Sequence, residues 1–281
     1  SFFYRASQSL FAIISILVLY QFIDSSIVPV YAYLTSLIIV SFLSFLSFRF
    51  WLKKKSNGHK EANLEILKYS TIFKVSLPLM FAQSVQFLMA WTDKLMIGGM
   101  LNSEAVGIYH TAFKLSMFSA IALMSINSIA SPKFAEKFYN NDIIGLKKIS
   151  NQSTKLIFVS TIPLIILSFL FPKLLLGVFG KEFVAGTIAF LILSVGRLIS
   201  SLSGPAGNIL QMTNNQNIYA KILFIGALFN IVLNYILIPI YGVNGAAIAS
   251  MLSLVIWNVL MIYQVRRKFG FYTFYQPFKN D

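Results

Sequence analysis

Apolar runs of about 20 residues recur along almost the whole chain, and runs of this length cross the hydrocarbon core of a bilayer as helices. Strands of a membrane barrel would instead be segments of about ten residues with alternating polarity. The sequence therefore predicts an all-α, polytopic helical membrane protein with about eight transmembrane helices. The predicted spans are 7–23, 27–48, 69–97, 105–131, 154–171, 183–202, 218–240 and 243–265.

Composition excludes a soluble enzyme and a disordered protein. Charged residues make up 11% of the chain, whereas a soluble domain has about 25%. The net charge of +14 comes mainly from basic residues that follow spans two, four and eight. Such a distribution predicts that these loops are cytoplasmic, together with the C-terminus, and it gives no reason to expect a nucleic-acid partner. The chain has no cysteine, which excludes disulfides and thiolate chemistry.

The spans predict a division of the chain into two lobes. Residues 1–55 would supply two helices of an N-terminal lobe, and residues 69–268 a six-helix C-terminal lobe. A basic cytoplasmic linker, 56–68, would join them, and 269–281 would form a cytoplasmic tail. Because the chain begins with Ser1 rather than Met, we expect it to be part of a longer protein.

Two cytoplasmic stretches have an amphipathic pattern. In 62–67 and 143–149 the apolar residues fall on one side of a helix, and Asn141 or Asp142 is placed to cap the second. Either stretch is compatible with a helix in the headgroup layer or with a loop helix that packs on the bundle.

Charged residues inside the spans are candidate site residues, because charge in a bilayer is costly. Lys114 and Arg197 lie too deep in their spans to reach the headgroups easily, so each needs a counter-charge or a wet cavity. Lys74 is a third candidate cation, although it lies near a predicted cytoplasmic end from which its ammonium reaches water. Asp93 is the one acid near a span interior, where it would pair with Lys114 or lie at the interface beside Lys94.

Two pairs of amides predict a polar seam inside the bundle. Gln83 and Gln86 share one face of the third span, and Asn230 and Asn234 share one face of the seventh. Either pair would also be explained by hydrogen bonds between neighbouring helices.

Known catalytic and metal-binding patterns are absent from the sequence. His59 and His110 have no carboxylate at ligand spacing, so no metal site is predicted. The sequence contains no glycine-rich phosphate loop and no nucleophile elbow. These absences favour a passive or ion-coupled transporter over an enzyme, without a bound cofactor.

Several motifs from residue 73 onward resemble one family of transporters. In order they are FKVSLPL (73–79), WTDKLMIGG (91–99), AVGIY (105–109), AFKL (112–115), GPAGNILQ (204–211) and IYGVNGAAIA (240–249). Their order and spacing resemble the C-terminal lobe of Wzx-type O-antigen and capsule flippases, which belong to the multidrug/oligosaccharidyl-lipid/polysaccharide (MOP) exporter superfamily.

This resemblance implies a two-lobed, MATE-like fold of which the chain holds the last eight of at least twelve helices. It implies the flipping of an undecaprenyl-diphosphate-linked oligosaccharide, an O-antigen or capsule repeat unit, across the bacterial inner membrane. Lys114 falls where the family commonly has Lys or Arg. The role expected of Arg197 in substrate binding is inferred only from its charge and its depth in the span. Implied partners are membrane lipids, a polysaccharide polymerase and chain-length machinery, and H⁺ or Na⁺ coupling would involve Asp93.

The sequence leaves two other functions open. An ion-coupled, MATE-like drug or metabolite antiporter would need buried carboxylates to bind mostly cationic compounds, whereas this chain offers buried cations. The other is a non-transporting scaffold or an enzyme of lipid-linked sugar chemistry.

Overall fold

A computed structural model of the chain describes residues 2–21, 27–56 and 69–275, and these residues form helices and their connections without any strand. They belong to two compact units, Ser1–Ile66 and Leu67–Asp281. The all-α fold predicted from the sequence is confirmed for these residues. Most of the predicted linker, the amphipathic stretch 62–67 and the end of the predicted tail lie outside the described residues.

The first unit is a pair of packed helices, α1 (Phe2–Leu19) and α2 (Val28–Ser56). The buried side chains of α2 recur every fourth residue and are small: Val28, Ala32, Ser36 and Val40. Residues at this spacing form one stripe along a helix, and small side chains allow two membrane helices to approach closely. The large apolar side chains of α2 are exposed, as expected of a lipid-facing surface.

The second unit contains nine α-helices and one 3₁₀ turn among its described residues. They are α3 (Tyr69–Met100), α4 (Ser103–Met117), α5 (Ala120–Tyr139), α6 (Ile143–Leu170), α7 (Pro172–Gly177), the 3₁₀ turn Lys181–Gly186, α8 (Thr187–Ser203), α9 (Ala206–Met212), α10 (Gln216–Tyr241) and α11 (Val243–Phe269).

Among the described residues, five segments are long and apolar enough to cross a membrane, or six if α4 and α5 count as one bent span. The five are Val28–Phe50, Ile143–Leu170, Lys181–Ser203, Gln216–Tyr241 and Val243–Phe269. The predicted number was about eight. Helix α3 has 32 residues but is not in this set, and it carries Lys74, Asp93 and Lys94. In α1 the apolar part is only Leu10–Leu19.

The predicted fourth span, 105–131, is wrong as a single helix. It is divided into α4 and α5, which meet at an angle of 46°. At the break, the hydroxyls of Ser116 and Ser119 donate to backbone carbonyl oxygens three residues earlier, at 2.8 and 2.6 Å. Such bonds compete with the helical ladder and favour a bend.

The amphipathic stretch 143–149 is the start of α6 and not a separate helix. Asp142 is its N-cap, as predicted, because a carboxylate oxygen accepts a hydrogen bond from the Gly145 N–H at 2.7 Å. Leu146 is buried, whereas Lys147 and Lys148 are exposed.

A turn built on Gly204 sets the position of α9. Gly204 ends α8 with a φ of 68°, a backbone conformation that favours glycine, and a Cβ there would collide with Thr154 and with the Thr273 carbonyl. The Thr154 hydroxyl donates to that carbonyl at 2.8 Å, and the Thr273 hydroxyl donates to the Ser203 carbonyl at 2.8 Å. These bonds join α6, the turn and the C-terminal segment, so that α9 points into the bundle.

Candidate substrate cavity and buried carboxylate

The second unit contains a partly open cavity of about 540 Å³ between α3, α4, α5, α8, α9, α10 and α11. Ligand pockets in proteins typically have volumes of 300–1,000 Å³. Two of the described lining residues are charged, Asp93 and Arg197. The other lining residues are apolar groups, hydroxyls and amides, so these two charges dominate the electrostatics of the cavity.

Arg197 faces the cavity from α8 without an acidic partner among the described residues. The one ion pair that these residues form joins Lys137 and Asp142. The Arg197 Nη2 atom lies 2.9 Å from the Met117 sulfur, and its Cζ lies 5.6 Å from the centroid of the Phe113 ring. A thioether and an aromatic face stabilise a guanidinium only weakly, so most of its donors remain available to an anion.

Asp93 is held differently, by neutral donors. It is 2% exposed. The Tyr109 hydroxyl donates to its Oδ2 at 2.5 Å, and the Asn234 amide donates to its Oδ1 at 2.6 Å. The Ser250 hydroxyl is a third donor to Oδ2. The expected pairing with Lys114 is therefore not formed, because α4, α10 and α11 supply hydrogen-bond donors to this carboxylate instead.

The predicted amide pair of the seventh span extends this cluster. Asn230 and Asn234 are buried on α10, and the Asn234 Nδ2 also donates to the Asn230 Oδ1 at 3.1 Å. The Asn234 Oδ1 and the Asn230 Nδ2 have no hydrogen-bond partner. Buried polar atoms that lack a partner are rare, and each calls for an explanation.

Amides line the part of the cavity away from these charges. Their side chains come from α3, α5, α9 and α11, and we call them the amide belt: Gln86, Asn127, Asn208, Gln211 and Asn258. Two aromatic residues, Tyr219 and Trp257, line the cavity near them.

Five predicted site residues do not line this cavity, and two of them are Asn230 and Asn234, which are buried on α10. Lys74 and Lys114 have exposed side chains, and Gln83 is exposed on a shallow groove of α3. Gln86 does line the cavity, where its amide donates to the Tyr219 hydroxyl at 2.8 Å. The roles proposed for these residues remain predictions.

Lys114 belongs to a group of basic residues beside the cavity. Lys94, His110 and Lys114 lie close enough to interact electrostatically. The Lys94 ammonium lies 4.7 Å from the Trp91 ring centroid and 5.7 Å from that of Phe113. Phe113 therefore contacts a cation of this group and also Arg197. Among the described residues, no group of His, Asp and Glu is arranged to hold a metal ion.

Sequence reasoning missed several residues of the site. Ser250 and Asn127 carry no signal of their own, because a hydroxyl or amide in an apolar helix is common. Tyr109 lies within the motif 105–109. Asn208 lies within the motif 204–211, so the close glycines around it were a usable signal.

Comparison with known proteins identifies the family. A sequence model named MatE matches residues 78–236, which is more than half of the chain. This chain belongs to the MatE family. A second model, "Polysaccharide biosynthesis protein", matches residues 3–138 of this MatE-family chain. The resemblance to MOP-superfamily polysaccharide flippases is thereby confirmed.

Individual relatives of this MatE-family chain act in glycan biosynthesis according to their names. A probable low-salt glycan biosynthesis flippase, Agl15 of Haloferax volcanii, is 26% identical over 74% of this chain and 43% of its own length. The capsular polysaccharide biosynthesis protein CapF of Staphylococcus aureus is 27% identical over 79% of this chain and 56% of its own. The chain thus spans about half the length of these relatives.

A solved structure supports the fold. A MOP-superfamily transporter from Pyrococcus furiosus superposes with a TM-score of 0.61 and 24% identity, over 75% of this MatE-family chain and 48% of that chain. At this identity the likeness concerns the fold alone.

Proposed function

We propose that this chain is part of a flippase that moves a polyprenyl-diphosphate-linked oligosaccharide across a bacterial inner membrane by alternating access. The observation that carries the proposal is Arg197, a cation in a membrane-protein cavity with no acidic partner among the described residues. An unpaired cation that is partly buried in a membrane protein is costly, and an anionic ligand offsets that cost. A diphosphate is such a ligand, since guanidinium groups bind phosphate oxygens in a bidentate manner.

The cations beside the cavity extend this role. Lys114 lies about 16 Å along α4 from its start, at ~1.5 Å per residue, yet its side chain is exposed. A lysine at this depth is far less costly beside water than beside lipid. We therefore assign the face that carries Lys94 and Lys114 to a water-filled passage, in which these cations hold the diphosphate before or after Arg197. Lys74, exposed near the start of α3, would attract the same anion at the cytoplasmic end.

Asp93 is proposed to couple transport to an ion gradient. Its carboxylate gains a proton or a Na⁺ ion without losing an ionic partner, since its partners are neutral donors. Turning the Asn234 amide about its terminal bond would direct the unpartnered Oδ1 toward a cation bound at Asp93. Because α3, α4, α10 and α11 all contribute to this cluster, its occupancy would affect how these helices pack.

The alternative function expected from the sequence, a MATE-like drug or metabolite antiporter, is less well supported by the cavity. Arg197 lines the cavity and would repel a cationic compound. Charge complementarity therefore favours an anionic substrate.

Topology and partners complete the proposal. The excess of basic residues after spans two, four and eight would be cytoplasmic, and so would the C-terminus. We propose that the protein transports its substrate without covalent chemistry. In the cell it would deliver the glycan to a polymerase and its chain-length machinery.

The proposal is tested with the intact protein in liposomes, by following a fluorescent polyprenyl-diphosphate oligosaccharide across the bilayer. We expect Arg197→Gln to lower the flipping rate about 10- to 100-fold, since a charge-assisted hydrogen bond contributes about 1.5–3 kcal/mol. Arg267→Gln, an exposed arginine in the last turn of α11, is the matched control and should flip normally. In cells, Lys114→Ala should leave expression intact and abolish surface polysaccharide. Normal flipping by Arg197→Gln, or efflux of cationic dyes in place of flipping, would contradict the proposal.

A further inference from the structure

The amide belt is a part of the cavity that the flipping of a diphosphate does not explain. It contains five amide side chains and no charged group. Amides both donate and accept hydrogen bonds, whereas a diphosphate needs only donors and positive charge. A belt of this chemistry matches a ligand that carries hydroxyl or acetamido groups.

The belt lies at a defined distance from the charges. Gln86 precedes Asp93 by two helical turns on α3, and Asn258 follows Ser250 by two turns on α11. At ~1.5 Å per residue, about 10 Å separates the two levels. On α8, Gly204 at the turn toward Asn208 follows Arg197 by about the same distance, so a sugar joined to a diphosphate at Arg197 would reach the belt.

The belt is preorganised by hydrogen bonds between α5 and α9. The Asn208 amide donates to the Asn127 backbone carbonyl at 3.1 Å and to the Ser131 hydroxyl at 2.8 Å. The Ser131 hydroxyl also donates to the Asn127 carbonyl at 2.6 Å. These bonds involve the main-chain carbonyl of Asn127, and its side chain takes no part in them.

The side chain of Asn127 is therefore the group of the belt that indicates a ligand. Its Oδ1 is buried at the cavity wall and has no hydrogen-bond partner. Buried polar atoms without a partner are rare, and each calls for an explanation. A ligand O–H or N–H donor that binds at the belt would satisfy this oxygen.

Trp257 supplies an apolar wall beside the belt. It packs closely against Gly226 of α10, where an added Cβ would lie 3.1 Å from the indole Cε3. The ring therefore has a fixed orientation, and it offers an apolar face as well as an N–H donor. A sugar ring has the complementary structure, with C–H groups on its faces and hydroxyls at its edge.

We propose that the amide belt is a binding site for an uncharged sugar, the residue attached directly to the diphosphate. This inference rests on the proposed function and specifies the substrate class of the same cavity. The belt provides no cation for a uronic acid, so the sugar at this position is a neutral hexose or an acetamido sugar. Sites that hydrogen-bond hydroxyls discriminate strongly against ligands that lack them.

The experiment measures binding of two lipids to the intact protein in nanodiscs. One is undecaprenyl diphosphate, and the other is undecaprenyl diphosphate that carries N-acetylglucosamine. The wild-type protein should bind the glycosylated lipid about tenfold more tightly, a ratio that corresponds to one or two net hydrogen bonds. Asn127→Ala should lose most of this preference and bind the bare diphosphate as before, because it leaves the main-chain bonds of Asn208 in place.

Controls separate this inference from the proposed function. Asn217→Ala, on an exposed position of α10 outside the cavity, should keep the preference. Arg197→Gln should weaken binding of both lipids equally. Equal binding of both lipids by the wild type, an unchanged preference in Asn127→Ala, or an equal loss for both lipids in that variant would overturn the sugar site alone. If the wild type binds neither lipid, the proposed function fails, and the sugar site fails with it.

Discussion

The two charged side chains of the cavity are stabilised in opposite ways. Asp93 is almost completely buried and accepts hydrogen bonds from three side chains of three other helices. Arg197 has a sulfur atom and an aromatic ring as its closest partners. The first charge is therefore satisfied within the protein, whereas the second is left to be satisfied by something else. In a membrane protein this difference distinguishes a structural or coupling group from a ligand-binding group.

Removing the Asp93 carboxylate should give the largest effect on stability. Asp93→Ala leaves three donors without an acceptor, and we expect it to lower the free energy of unfolding by about 3 kcal/mol. Asp93→Asn is the matched variant, because a turn of the Asn234 amide would restore most of the bonds. Thermal unfolding in detergent, with and without Na⁺, measures both variants.

The two Asp93 variants should differ in stability but not in coupling. Asp93→Asn should remain folded and lose the dependence of transport on the ion gradient, since it can neither ionise nor neutralise a cation. If Asp93→Asn keeps its ion dependence, Asp93 is a structural acid and the coupling proposal fails.

Tyr109→Phe tests a single donor to the same carboxylate. Tyr109 is 0% exposed, and its hydroxyl donates to Asp93. A hydrogen bond to a charged group contributes about 1.5 kcal/mol or more, so the variant should unfold at a lower temperature and bind the coupling ion with altered affinity. A variant as stable as the wild type would show that Ser250 and Asn234 suffice to hold the carboxylate.

Replacing Arg197 should increase stability, whereas replacing Asp93 should decrease it. Because burying an unpaired charge is unfavourable, Arg197→Met should raise the free energy of unfolding by about 1 kcal/mol while transport is lost. The rise is modest because Arg197 is only partly buried. A clear loss of stability in this variant would instead mean that Arg197 supports the fold, and the comparison with Asp93 would no longer hold.

The sequence predicts the positions of the helices along the chain better than their bends. Hydropathy gives position along the bilayer normal, so the bounds of α3, α10 and α11 were predicted within a few residues. Helix α6 begins well before the predicted span 154–171, because its first turns are amphipathic. It does not register a bend inside an apolar run, and the break between α4 and α5 was missed for that reason. The hydroxyls that favour this bend look like ordinary small residues in the sequence.

The candidate site was predicted less completely, for a related reason. Depth along a helix does not reveal the direction of a side chain. Arg197 and Lys114 looked equivalent in the sequence, yet Arg197 faces the cavity and Lys114 is exposed beside it. The partners of Asp93 come from positions far away in the chain, such as Asn234 and Ser250, and a single sequence does not record such pairs.

The ion pair of Lys137 and Asp142 provides a reference for charges outside the cavity, and we expect the smallest effect there. The Gly145 N–H, and then Lys137, lower the pKa of Asp142 below its ordinary value. A lowered pKa means that the ionised carboxylate stabilises the folded state above the unfolded pKa of about 3.9, and that this contribution is lost as pH falls through the folded pKa. Asp142→Asn retains a capping oxygen but cannot ionise. Its melting temperature should lie slightly below that of the wild type at pH 7 and converge with it as pH falls through the folded pKa, as thermal unfolding in detergent would measure. A difference that stays the same at every pH would mean that Asp142 acts as a capping oxygen and not through its charge.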